Sequence, residues 1–157
     1  MITLCLVLSL LAGCGAAGTQ GSGGQASARN DASGEDAAKT VLRMTIGETA
    51  VNAEWEDNGS VEALKALCRN GALTIKMSMY GGFEQVGSIG QDLPRDDRQT
   101  TTRPGDIVLY SGNQIVVFYG SNSWAYTRLG HIADKSAQEL AQLLGNGDVT
   151  ITIEAAR

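Results

Sequence analysis

Histidine occurs once in this chain of 157 residues, at His131, and cysteine three times, at Cys5, Cys14 and Cys68. A metal site built on several His or Cys ligands is thereby excluded. No internal disulfide framework can form in a domain that holds only Cys68. His131 follows Gly130 at a strand end and reads as a structural or surface residue, not a general base. Lysine and arginine number 12 against 17 aspartates and glutamates, a net charge of −5. The two signs are interspersed and form no basic stripe, which argues against nucleic acid as a partner. Aromatic residues make up only 5%, so each one is informative. No apolar run reaches the roughly 20 residues that span a bilayer.

What is present at the N-terminus is an apolar, uncharged stretch over residues 1–13. It suits the core of a secretory signal peptide, although the usual leading Lys or Arg is missing. It ends in Leu11-Ala12-Gly13-Cys14, which resembles the lipobox of bacterial lipoproteins. That resemblance implies cleavage before Cys14 and lipidation of Cys14, with palmitate or a similar acyl chain. The expected location is therefore a bacterial membrane surface on the extracytoplasmic side, with the membrane as a partner through the lipid. Residues 15–38 contain six Gly, three Ser and seven Ala and no larger aliphatic or aromatic side chain. Such a segment cannot bury enough apolar surface to offset its ordering entropy. Residues 14–38 read as a lipid-anchored flexible tether with a mean reach of about 25–30 Å. Residues 39–157 are left as one small domain, stabilised by core packing alone. Cys68, on a helix, reads as a small buried hydrophobe.

Within that domain, period-two alternation marks strands at Leu42, Met44 and Ile46, at Val51, Ala53 and Trp55, and at Leu73, Ile75, Met77 and Met79. Gly47-Glu48 joins the first two as a hairpin. Asp57 to Ser60 offers a cap for a helix over residues 61–69, whose apolar face is Val61, Leu64, Leu67 and Cys68, with Gly71 closing it. Residues 80–103 read as a long irregular loop. Strands follow over 107–110 and 115–119, joined by residues 111–114, then a loop over 121–124 and a strand over 125–132. Ser136 and Glu139 form a capping box ahead of Leu140, Leu143 and Leu144. Val149, Ile151 and Ile153 complete a last strand. About eight strands with two short helices fit a closed antiparallel β-barrel, which leaves no exposed strand edges.

The order of these elements, together with Gly82-Phe83-Glu84-Gln85-Val86-Gly87, resembles the bacterial cyclophilin-like fold family, divergent relatives of the prolyl isomerase cyclophilins. The resemblance covers nearly all of the domain. It implies a mainly β, closed antiparallel barrel. In the isomerases an Arg stands five residues before the Phe of a Gly-Phe-x-x-Gln-Gly-Gly run; here that position is Ser78, and Gln85 follows Phe83 by two residues, not three. No catalytic residue is carried over.

The expected function is non-catalytic binding of a peptide, protein or small ligand, with a prolyl cis–trans isomerase of rearranged site as the alternative. Such an isomerase would draw its guanidinium from Arg95, Arg98, Arg103 or Arg128. The groove candidates are Tyr80, Phe83, Tyr119, Trp124 and Tyr126, with Gln85, Gln91, Asn122 and Arg128 beside them, because rings with polar edges suit a ligand groove. The alternative for each ring is closure of a barrel end. No pattern asks for a cofactor or a metal: Asp92, Asp96 and Asp97 lack EF-hand spacing. Gly87-Ser88-Ile89-Gly90 lacks the first Gly of a nucleophile elbow and is too sparse for a phosphate cradle. Its glycines read as positions of positive φ in a tight loop.

Overall fold

The structure, a computed structural model, describes residues 40–156. The signal-peptide, lipobox and tether readings, Cys14 included, lie outside the described residues. The elements are β1 (Val41–Ile46), β2 (Thr49–Val51), β3 (Ala53–Trp55), α1 (Gly59–Leu67) with a 3₁₀ turn (Cys68–Asn70), β4 (Leu73–Tyr80), β5 (Glu84–Ser88), β6 (Arg98–Thr101), β7 (Asp106–Tyr110), β8 (Gln114–Phe118), β9 (Ser123–Ile132), α2 (Ala137–Leu144) and β10 (Val149–Ala156). No described helix is long and apolar enough to cross a membrane.

Nine strands follow one another in the order β2-β1-β10-β4-β5-β8-β7-β9-β3, and β6 pairs with β9 off that path. Every pairing is antiparallel. The result is a nearly closed barrel, as expected, but with nine to ten strands, not eight. The two ends of the path, β2 and β3, are separated in sequence only by Asn52. β2 pairs with β1 and β3 with β9, so one bent segment bridges the open side. Trp55 reinforces this seam: its indole Nε1 donates to the Leu42 carbonyl at 2.9 Å.

Two strands lie inside the segment expected to be a loop. β5 carries buried side chains on both faces, so no simple alternation announces it, and β6 is polar and mostly exposed. Gly87 accordingly sits in a strand and not in a loop. A Cβ there would fall 2.4 Å from the Met77 sulfur and 2.8 Å from the Lys76 carbonyl oxygen; close approach of β4 is what it serves. Gly90 does hold a positive φ of +89°.

The barrel interior is filled by β-strand aliphatics together with Val61 and Leu64 of α1 and Leu140 and Leu144 of α2. Asn58 caps α1, accepting from the Val61 amide at 3.0 Å, and ties it to β9 by donating to the Arg128 carbonyl at 2.8 Å. The capping box at Ser136 and Glu139 is present in both directions. Cys68 is buried, donates to the Ile153 carbonyl at 3.4 Å, and has its thiol pKa raised by burial.

Candidate functional site

Four neighbouring strands, β5, β8, β7 and β9, bury side chains on both of their faces. One face sends Ile107, Leu109, Ile115, Val117 and Leu129 into the barrel. The opposite face gathers Val108, Val116, Phe118 and Tyr126 into a second buried cluster, with Phe83 and Val86 packed on it. Antiparallel register explains the grouping. Tyr80, Glu84 and Phe118 lie directly across from one another, as do Val86, Val116 and Val108. Side chains that stand opposite across strands share a face and touch.

Over this second cluster lies a groove of about 370 Å³. Val86 and Val116 contribute to its floor, while Tyr80, Tyr110, Trp124 and Tyr126 surround it with Glu84, Gln114 and Asn122. Tyr126 is 4% exposed. Its ring meets Tyr110 edge-on at 6.1 Å and Phe118 at 5.7 Å, and Asn122 Nδ2 donates to its hydroxyl at 3.0 Å. Tyr80 and Trp124 are instead largely exposed.

Glu84 is the unusual member. It is 6% exposed, and its Oε2 is buried with no hydrogen-bond partner among the described residues. Burial pushes its pKa up from 4.5 to about 7, because desolvation disfavours the charged form. Burial, and secondarily the nearby Glu84 charge, raise the pKa of Tyr126 as well.

The structure brings Tyr80, Trp124 and Tyr126 together in the groove. Trp124 lies on β9, not in a loop, opposite Thr100 of β6. Phe83 sits beneath, stacked on Phe118 with centroids 6.4 Å apart and planes 3° from parallel. Gln85 points the other way, as the alternation of a strand requires: its Nε2 donates to the Leu144 and Gly147 carbonyls at 2.6 and 2.7 Å, pinning α2 and its exit loop. Tyr119 packs on the barrel core. Gln91 is exposed and outside the groove lining. Arg128 lines a separate cleft of about 490 Å³. Its guanidinium faces Glu56 at 3.3 Å and Asp106 at 3.4 Å. In the same region Arg95 pairs with Asp97 and Arg98 with Asp96, so the carboxylates of that loop are engaged by cations. His131 is structural: Nδ1 lies 2.9 Å from Asp106 Oδ1.

Asn122, expected beside the rings, does line the groove, whereas Glu84, Tyr110 and Gln114 were not expected there. The available signal was parity: Glu84 and Val86 occupy one face of a strand, Gln85 and Gly87 the other.

A nearly closed antiparallel barrel carrying a ligand-sized groove on the outside of its sheet is the class of protein that fold and site define. A model of the cyclophilin-like family matches residues 44–154, and the chain belongs to that family. No functionally curated protein matches it. Among solved structures, the solution structure of the hypothetical protein AF2241 from Archaeoglobus fulgidus is similar, with 14% identity and a TM-score of 0.54, covering 73% of this chain and 93% of that one. At that identity the likeness speaks for the fold alone.

Proposed function

We propose that this cyclophilin-like domain is a non-catalytic binding module for a peptide or small ligand, held at a membrane on the extracytoplasmic side through lipid on Cys14. The observation that carries the binding reading is the aromatic groove over a buried carboxyl with an unpartnered oxygen. Pockets of this size, mostly apolar with a few placed polar groups, are where small ligands and side chains bind. Prolyl isomerisation is the second reading, and family membership favours it. Turning an X–Pro bond must overcome a barrier of about 18–20 kcal/mol, for which the resemblance implies a guanidinium. The groove lining offers a carboxyl, phenols and amides but no guanidinium; Arg95, Arg98 and Arg128 line the neighbouring cleft and are each engaged by carboxylates.

Two measurements test these readings. Isomerisation of a panel of X–Pro peptides by the full chain is expected to stay at background, while indole resonances of Trp124 respond to peptides or small ligands that occupy the groove. Acceleration abolished by Tyr126→Ala or Arg128→Ala would install the isomerase reading instead. The anchor rests on the lipobox-like Leu11-Ala12-Gly13-Cys14. Palmitate incorporation in a bacterial host, lost in Cys14→Ala, is the expected result.

A further inference from the structure

Taking the binding reading as its basis, we infer that the groove is selective for an organic cation, an alkylammonium or methylated ammonium group, with Glu84 as counter-ion and the rings of Tyr110, Tyr126 and Trp124 around it. The polar inventory of the groove leads there. Asn122 is already committed, donating to the Tyr126 hydroxyl and accepting from the Ser123 amide at 2.9 Å. Among the groove-lining residues Glu84 alone presents a buried oxygen with no partner, in a residue more than nine-tenths buried; the other such atoms, Gln85 Oε1 and the Tyr119 hydroxyl, lie outside the groove lining. A buried polar atom in that condition is destabilising until something satisfies it. A ligand that brings a positive charge satisfies it best, since it meets the carboxylate directly.

The surroundings favour the same sign. Aromatic faces attract cations through their quadrupole, and four rings line the groove. The chain carries a net charge of −5, which raises the local concentration of cations near it. An anion would meet an uncompensated carboxylate, because no Lys or Arg is among the groove-lining residues. The other ionisable groups facing Glu84 are phenols only: Tyr80 from β4, Tyr110 from β7 and Tyr126 from β9. A volume of about 370 Å³ holds a compact headgroup and not an extended chain. The ammonium can arrive free, on a small amine, or on a lysine side chain of a peptide; the chemistry at Glu84 is the same.

The pH dependence follows. With a pKa of about 7 in the empty groove, Glu84 is ionised in roughly one molecule in ten at pH 6 and in nine in ten at pH 8. A ligand that needs the carboxylate then binds about tenfold more tightly at the higher pH.

The test compares choline with 3,3-dimethylbutan-1-ol, its neutral isostere, on the full chain, following the Trp124 indole resonance. Choline is expected to bind at least tenfold more tightly, with the tenfold rise from pH 6 to pH 8. Glu84→Gln, which keeps the shape of the side chain, is expected to abolish both the preference and the pH slope while its unfolding transition stays cooperative. A lysine-containing peptide set against its norleucine counterpart assigns the source: preference for the lysine peptide over both choline and norleucine places the ammonium on a peptide. Equal binding of choline and the isostere, or affinity that rises as pH falls, would overturn the cation assignment and leave the groove a binding site. Silence of the Trp124 resonance to choline, isostere and peptides alike would overturn the binding reading together with it.

Discussion

Two carboxylates are buried among the described residues, on strands β5 and β7 that flank β8, and they are treated in opposite ways. Asp106, at the start of β7, is 1% exposed and wrapped in donors. The Arg103 amide reaches its Oδ2 at 3.0 Å, while His131 Nδ1 and Arg128 Nη2 lie 2.9 and 3.4 Å from its Oδ1. Glu84, at the start of β5, is 6% exposed, has one oxygen without a partner, and faces rings. The first arrangement fastens a turn and the base of β9 to β7. The second stabilises nothing within the protein, which is why we assign it to a ligand. Burial alone therefore does not distinguish a structural acid from a functional one; the partners do.

Replacing each acid in turn gives the sharpest contrast. Asp106→Ala is expected to cost about 3–5 kcal/mol, since it breaks a buried charged network and leaves its donors unpaired, measured by denaturant unfolding. Glu84→Gln is expected to go the other way, stabilising the protein above pH 7 by up to about 3 kcal/mol. The sign follows from the raised pKa. A carboxyl that titrates near 4.5 when exposed and near 7 when folded leaves the fold at full stability below pH 4.5. That stability is lost progressively as pH rises through about 7. Wild-type stability should fall across this window and the fall should be absent in Glu84→Gln; a parallel pH profile in both proteins would break the comparison.

Smaller effects refine it. Arg128→Ala removes one partner of Asp106 but leaves His131 and both the amide and the guanidinium of Arg103, so a loss of about 1 kcal/mol is expected, with no change in the titration of Glu84. Tyr119→Phe is the smallest. Its hydroxyl is buried without a partner among the described residues, so its removal is expected to change stability by less than about 1 kcal/mol and in the favourable direction. A clear loss in thermal unfolding would reveal a partner for that oxygen.

How far the sequence was legible follows the same line between local and distant causes. The hairpin of β7 and β8, the alternation of β4, a helix cap within Asp57 to Ser60 and the capping box at Ser136 are written in adjacent residues and were readable; that Asn58 is the cap came from the structure. β5 was not, because both of its faces are buried and its glycine hides the parity. β6 pairs through Arg98, Gln99, Thr100 and Thr101, residues with no apolar pattern. In β9 the register shifts opposite the Ile107–Val108 step, so Leu129 and Ile132, three residues apart, both enter the barrel and alternation counted from Leu129 fails at Ile132. Of the groove, the rings at Tyr80, Trp124 and Tyr126 were legible as chemistry. Glu84 was not, because a lone glutamate in an assumed loop gives no hint of desolvation; only pairing with Tyr80 and Phe118 encloses it.

The position of β10 sets the timing of folding. This eight-residue strand lies between β1 and β4, pairing Val41 with Ala156 at one edge and Met77 with Val149 at the other. The two earliest long strands have no contact as a sheet until the last one made is inserted between them. Contacts of such long sequence separation slow folding, and here they also defer it: a growing chain cannot complete this barrel before its final strand exists.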